Sequence, residues 1–206
     1  MTLTAIDPLA PPAEAGNDAR HGPDRRPVLD HGYVRLVDRL GNDLTVVNAA
    51  KVSFDKEADA FGPGEERLLG FLGREGHLSP FRHAMLSFEV YAPLMVARQW
   101  WKYVVGSDHT MEGWNESSRR YVTEEPTFYA IEPTAWRAAP ASRKQGSGEP
   151  LPAEVGQRLS AELAAHYARS LERYEAALAA GVAVEQARVF LPAYALYVRW
   201  RWTASL

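Results

Sequence analysis

The spacing of apolar side chains along this chain changes period several times, and each change marks an element. Tyr33 to Leu40 alternates as YVRLVDRL and predicts a strand. Gly41-Asn42-Asp43 is a turn signal, and Leu44 to Asn48 resumes an apolar run, so this region is a short strand pair or a strand-turn-helix. Glu65 to Gly73 has helical period, with Leu68, Leu69 and Leu72 on one face. Ser79-Pro80 has the form of a helix start, a hydroxyl cap followed by proline at the first helical position. Met85 to Tyr91, MLSFEVY, returns to period two, and Pro93 opens a helix through Val104.

The longest helix runs from Ala153 to Ala180. Leu159, Leu163, Tyr167, Leu171, Tyr174 and Leu178 form its apolar stripe, which is core or an oligomer interface, and Gly181 ends it. Val184 to Leu191 is a short helix closed by Pro192. From Tyr194 to Thr203 the chain alternates again, with Tyr197, Arg199 and Arg201 on one face and Val198, Trp200 and Trp202 on the other. The Pro- and Gly-rich stretch from Glu132 to Pro152 reads as a surface loop, and residues 1 to 30, rich in Pro and Gly, as a flexible tail. Separated strands and helices of this kind predict an α+β fold with one long helix.

Composition narrows the chemistry. The 206 residues form one domain with a tail, and 46% hydrophobic against 24% charged residues is a globular balance. A net charge of −3 gives no basic field for nucleic acid or an acidic membrane. There is no cysteine, which removes disulfides, zinc–thiolate and iron–sulfur sites and any cysteine nucleophile. No apolar run reaches the ~20 residues of a membrane span, and no secretory signal opens the chain, so a cytoplasmic protein is the expectation.

Against that background Gln99 to Tyr121 stands out. It sets Gln, Lys, His, Glu, two Ser and two adjacent Arg among aromatics, an arrangement suited to a flat base and a phosphate. The competing reading is an amphipathic helix with a solvated Arg pair. His77-Leu78-Ser79-Pro80-Phe81-Arg82-His83 reads on local grounds as a cap with two ordinary histidines, with an anion-binding helix start as the competing reading. Arg188, near the end of an apolar helix, is explained by the helix dipole unless a ligand claims it. No carboxylate pattern supports a metal site, and no Gly-rich phosphate loop is present.

Asn115-Glu116-Ser117-Ser118-Arg119-Arg120-Tyr121 resembles the NExSxRY half of the signature of flavin-dependent thymidylate synthases. Ala97-Arg98-Gln99-Trp100 resembles the ARQW before it, and HLSPFRH is similar to that family's H-x-[ST]-P-F-x-H. Val47 to Phe54 looks like its AARVSF segment, and Ala187 to Pro192 like its ARxxLP. These blocks stand in the family's order from Tyr33 to the C-terminus.

The resemblance implies reductive methylation of dUMP to dTMP in a homotetramer with shared active sites. It implies FAD as cofactor, with methylenetetrahydrofolate as carbon donor and NADPH as reductant. Carried over by position, Gln99, Lys102, Glu116, Ser118, Arg119, Arg120 and Arg188 are dUMP ligands, Arg188 from another subunit. Glu116 and Ser118 are the catalytic positions. His77, Ser79, Lys102, His109 and Glu116 face the FAD.

Two departures qualify the carry-over. Where the signature opens RHR, this chain has Lys102-Tyr103-Val104 and an insertion before Asn115, so Lys102 or, with the gap placed earlier, His109 takes the flavin-contacting position. Family members also continue into a C-terminal helix, whereas this chain ends at Trp202-Thr203-Ala204-Ser205-Leu206. The expected organisation is therefore a tail over 1–30 and a synthase-like domain over 31–206 lacking its C-terminal helical part. Weaker activity follows, with a nucleotide- and flavin-binding remnant or a helical oligomerisation module as the alternatives.

Overall fold

A computed structural model describes residues 25–105, 113–118, 125–142 and 146–206. Five strands form one antiparallel sheet in the order β1-β2-β3-β5-β4: β1 is Arg25–Val28, β2 Gly32–Leu40, β3 Met85–Pro93, β4 Gly113–Glu116 and β5 Tyr197–Ser205. The helices are α1 (Asp43–Lys51), α2 (Pro63–Arg74), α3 (Leu94–Val105), α4 (Ala153–Ala179) and α5 (Val184–Ala187). The fold is α+β, and the 27 residues of α4 make the one long helix expected from the sequence.

Alternation in β3 and β5 decides what each face of the sheet holds. Val90, Ala92, Val198 and Trp200 point to one side, where Ala97 of α3 completes a buried cluster. Trp100, Trp114 and Trp202 pack around it. The rings lock α3 to the sheet: Trp100 meets Trp200 and Trp202 edge-on at 5.8 and 5.1 Å, and Trp114 stacks on Trp200 at 5.3 Å. Trp200 is only 1% exposed, and its indole N–H, like that of Trp202, has no acceptor among the described residues.

The other side is polar. Arg25, Arg35, Glu89, Arg201 and Asn115 lie in register across all five strands. Glu89 is the hub: it pairs with Arg35 at 3.2 Å and accepts from the Tyr33 hydroxyl at 2.9 Å. Burial alone raises the Glu89 carboxyl, but the Tyr33 hydrogen bond and the Arg35 and Arg199 charges outweigh it and hold the group below the usual glutamate range. At the far end of this face Tyr197 donates to Asp30, and burial pushes its phenol well above the ordinary tyrosine value.

α4 lies over the connection that precedes it. Tyr167 stacks on Phe128 at 4.9 Å and donates to the Tyr129 carbonyl, while Tyr174 packs with Ala187 and Leu191. Ser160 accepts from Trp136 and donates to the Ile131 carbonyl. Gly156 allows the close approach, since a Cβ there would stand 2.0 Å from the Pro133 carbonyl oxygen. The apolar stripe of α4 is thus engaged within its own chain.

Of the two alternatives for the region after Tyr33, the strand-turn-helix is the one found: Leu44 to Asn48 belongs to a helix, started by an Asn42–Thr45 capping box after Gly41 turns the chain at φ 69°. Two readings need correction. Residues 25–30, assigned to the tail, form β1 and its turn, because β2 supplies an edge to pair with; residues 1–24 lie outside the described residues. Ser79-Pro80 begins only a 3-10 turn over Ser79–His83, and Ser79 does not cap it. Among the described residues no helix is long and apolar enough to cross a membrane.

The indole cluster sets a stability prediction. Trp200→Ala leaves a large void where α3, β3 and β5 meet and should cost about 3–5 kcal/mol, read from the urea midpoint. A loss below about 1 kcal/mol would show that the cluster does not hold α3 in place.

Candidate active site

α3 starts directly where β3 ends. Its first N–H groups, on Leu94 and Met95, donate to the carbonyls of Leu196 and Tyr194, so the helix begins fixed to the segment entering β5. With Ala97 and Trp100 turned inward, Arg98, Gln99 and Lys102 are left exposed. Trp101, also on the outer side, contacts Trp114 of β4 at 5.1 Å.

β4 places Glu116 on this same side of the sheet, because Trp114 and Glu116 are two residues apart and pair with Trp202 and Trp200. The charge of Arg98 and the nearby Trp114 side chain both favour the ionised form of the Glu116 carboxyl. One residue on, Ser117 extends the ladder: its N–H donates to the Arg199 carbonyl at 2.7 Å, and its hydroxyl accepts from the Arg199 N–H at 3.0 Å. Ser118 follows, half-buried. Gln99 and Lys102 on the outer side of α3 and Glu116 on β4 thus lie on the helix-bearing side of the sheet, where Trp101 meets Trp114.

His77 and Ser79 lie elsewhere. The His77 ring stacks on Phe71 of α2 at 5.8 Å, and both residues precede the turn that delivers Ala84 to the Leu206 end of β5. Beside that turn an open cleft of about 670 Å³ is lined by Asn48, Val52, Asp55, Lys56, Glu57 and His83. Phe54, Phe71 and Leu78 are exposed in this part of the chain, Phe54 by 75%. Asn48 fixes the chain after α1 through two hydrogen bonds to Ala58, and Lys51 joins α1 to α2 through Glu65 at 2.6 Å.

Arg188 is at the opposite end. It opens a 3-10 turn over Arg188–Phe190 after the four-residue α5, so the helix-dipole explanation from sequence does not apply. Arg188 is exposed, as are Val189 and Phe190. The turn leads to Leu196, whereas the His77–His83 segment meets Ser205 and Leu206; the nine residues of β5 between them span roughly 27 Å. One chain does not bring Arg188 and His77 together.

His109, Arg119 and Arg120 lie outside the described residues. Sequence alone did not single out the two side chains that surround Glu116, Arg98 and Trp114. Arg98 was accessible from its place one helix turn before Trp101, whereas the four residues of β4 are too few to show the side of Trp114. Among the described residues no group of three or more His, Asp or Glu could hold a metal.

Residues 35–206 match the family model described as thymidylate synthase complementing protein. The chain belongs to the flavin-dependent thymidylate synthase family. It is 38% identical over 179 residues to the flavin-dependent thymidylate synthase of Thermotoga neapolitana, covering 87% of this chain and 73% of that one. It is 36% identical to that of Ruegeria pomeroyi, covering 87% of this chain and 58% of the relative. For a Thermus thermophilus relative the identity is 37%, over 90% of this chain and 64% of the relative. The chain thus spans less than two thirds of the Ruegeria and Thermus proteins.

Among solved structures, the UMP/dUMP methylase PolB from Streptomyces cacaoi matches at 29% identity. Bound with 5-Br UMP it has a TM-score of 0.67, over 84% of this chain and 71% of that one. Bound with 5-Br dUMP it has a TM-score of 0.69, over 84% and 72%.

In this family member Glu116 yields a pH prediction. Its side chain is partly open to water, yet desolvation raises its carboxyl above the usual glutamate value of 4.5. The Arg98 charge and the Trp114 side chain only partly offset the rise. An acid raised in the folded state stabilises most below its ordinary value, and that contribution is lost as pH rises through the raised one. The stability of Glu116→Gln should therefore improve relative to the parent as pH climbs through this window, measured by urea unfolding at stepped pH. A difference that is flat or falls with pH contradicts the assignment.

Proposed function

We propose that this chain carries out the reductive methylation of dUMP to dTMP, with methylenetetrahydrofolate as carbon donor and NADPH as reductant. The observation that carries this reading is the family match over residues 35–206; the placement of Gln99, Lys102 and Glu116 on the helix-bearing side of the sheet supports it. A base needs an amide and a carboxylate, and a phosphate needs a hydroxyl and cations; those are the groups there. Arg119 and Arg120 complete the phosphate cradle in this reading, an assignment resting on their place in the motif.

FAD is the cofactor in this proposal, and the residues present suit it. Exposed Phe54, Phe71, Leu78 and Val52 offer apolar surface to flat rings, while Lys56 and Arg82 offer cations, and His83 a ring N–H, to a diphosphate. His77 and Ser79 stand in the same segment. When bound, the flavin supplies the hydride that completes the methyl group. The chain's own residues hold the uridylate, orient its ring and shield the reacting carbon from water; with no cysteine present, no thiolate attacks the ring.

Arg188 lies far from His77 within one chain, which supports active sites shared between subunits of a homotetramer. A free-standing oligomerisation module is not favoured, because Tyr167 and Tyr174 of α4 are buried within the chain.

Purified protein supplied with FAD, NADPH, methylenetetrahydrofolate and dUMP should form dTMP. Arg188→Ala should weaken dUMP binding in calorimetry by about 1.5–3 kcal/mol, roughly ten- to a hundredfold, as expected for a charge-assisted contact. Unchanged affinity in that variant removes Arg188 from the site, and dUMP binding without any dTMP would leave a binding remnant in place of an enzyme.

A further inference from the structure

A hydrogen-bonded pair in an antiparallel ladder exchanges two bonds, each from a backbone N–H to a backbone carbonyl. Where β4 leaves β5, that exchange is altered. The Ser117 N–H donates to the Arg199 carbonyl at 2.7 Å, as a ladder requires. The return bond from the Arg199 N–H goes to the Ser117 hydroxyl at 3.0 Å, in place of the Ser117 carbonyl. A side chain has taken over a ladder position of its own backbone. β4 accordingly stops at Glu116, and Ser117 and Ser118 lie beyond the strand. The residue that anchors this bond is itself held: Arg199 Nε donates to the Tyr33 hydroxyl at 3.2 Å, its guanidinium lies over the Tyr91 ring at 5.4 Å, and Tyr33 donates to Glu89. The family signature NExSxRY leaves the position of Ser117 open and gives it no role.

We propose that the Ser117 hydroxyl, by standing in for its own carbonyl, ends the ladder after Glu116 and aims Ser118 out of the sheet toward the phosphate of dUMP, which makes Ser117 a positioning residue. The inference rests on the reading of Ser118 as a dUMP ligand, its hydroxyl on the phosphate. Without the Ser117 hydroxyl, the Arg199 N–H regains an acceptor by taking the Ser117 carbonyl. That exchange adds one pair to β4 and turns the Ser117–Ser118 peptide back into the ladder. Glu116 pairs with Trp200 before this point and keeps its place. The loss therefore falls on the phosphate and spares the base.

The test uses the full chain loaded with FAD. Ser117→Thr and Ser117→Val match in shape and differ in the hydroxyl, and Ser117→Ala is a third variant. dUMP is titrated into each by calorimetry, and deoxyuridine, which lacks the phosphate, by ligand-observed NMR. Ser117→Val and Ser117→Ala should bind dUMP about tenfold more weakly than the parent, and Ser117→Thr within about twofold of it. Deoxyuridine should bind all four proteins alike.

Parental dUMP affinity in both Ser117→Val and Ser117→Ala overturns the role of Ser117 and leaves the nucleotide reading intact. An equal loss of dUMP and deoxyuridine also overturns it, since the effect would not follow the phosphate. So does a loss in Ser117→Thr as large as in Ser117→Val, since the effect would not follow the hydroxyl. A parent protein that binds no dUMP overturns the nucleotide reading, and the positioning role with it. If Ser117→Val does not fold, Ser117→Ala against Ser117→Thr decides by the same comparison.

Discussion

The packing of α3 indoles against β5 is the constraint on which the rest of the structure depends. Trp100, Trp114, Trp200 and Trp202 bind a helix, a short edge strand and a central strand into one body. β4 has only four residues and little cross-strand pairing of its own. Trp114, stacked on Trp200 and edged by Trp101, holds it in register. Because Glu116 follows Trp114 at strand spacing, the same stack that stabilises the sheet also determines where the carboxylate goes.

β5 does two jobs through simple alternation. One side of it is indole and aliphatic and receives α3. The other carries Tyr197, Arg199 and Arg201 into a polar layer organised by Glu89 and Asp30. A buried carboxylate is tolerable there because donors surround it, and removing any one partner would expose the full cost of its desolvation. The two layers let one sheet present a hydrophobic floor to a helix and a charged face elsewhere. The site ridge lies where β4 meets the hydrophobic side, and the cleft near His83 lies at the end of β5 remote from Arg188.

Much of this was legible in the sequence because long alternating or helical runs leave one physical solution. The strand at Tyr33 to Leu40, the paired faces of Tyr197 to Trp202 and the stripe of α4 all emerged at nearly their observed limits. What was not legible depended on partners far away in the chain. β1 forms only because β2 offers an edge, and Pro27 within it reads locally as tail. β4 is too short to show a period. Ser79 resembled a cap, yet the chain turns after one 3-10 segment because Ala84 must enter the sheet. In the site itself the motif blocks named Glu116, Gln99 and Ser118, but only packing sets Trp101 of α3 against Trp114 of β4.

The account stands on a uridylate and a flavin meeting at this chain. The measurement that tests it most directly is the absorption spectrum of the purified protein with added FAD, recorded with and without dUMP. The account predicts bound flavin with a perturbed visible band and a further saturable change as dUMP is added. A protein that retains no flavin at excess FAD, or whose flavin spectrum ignores saturating dUMP, would contradict it.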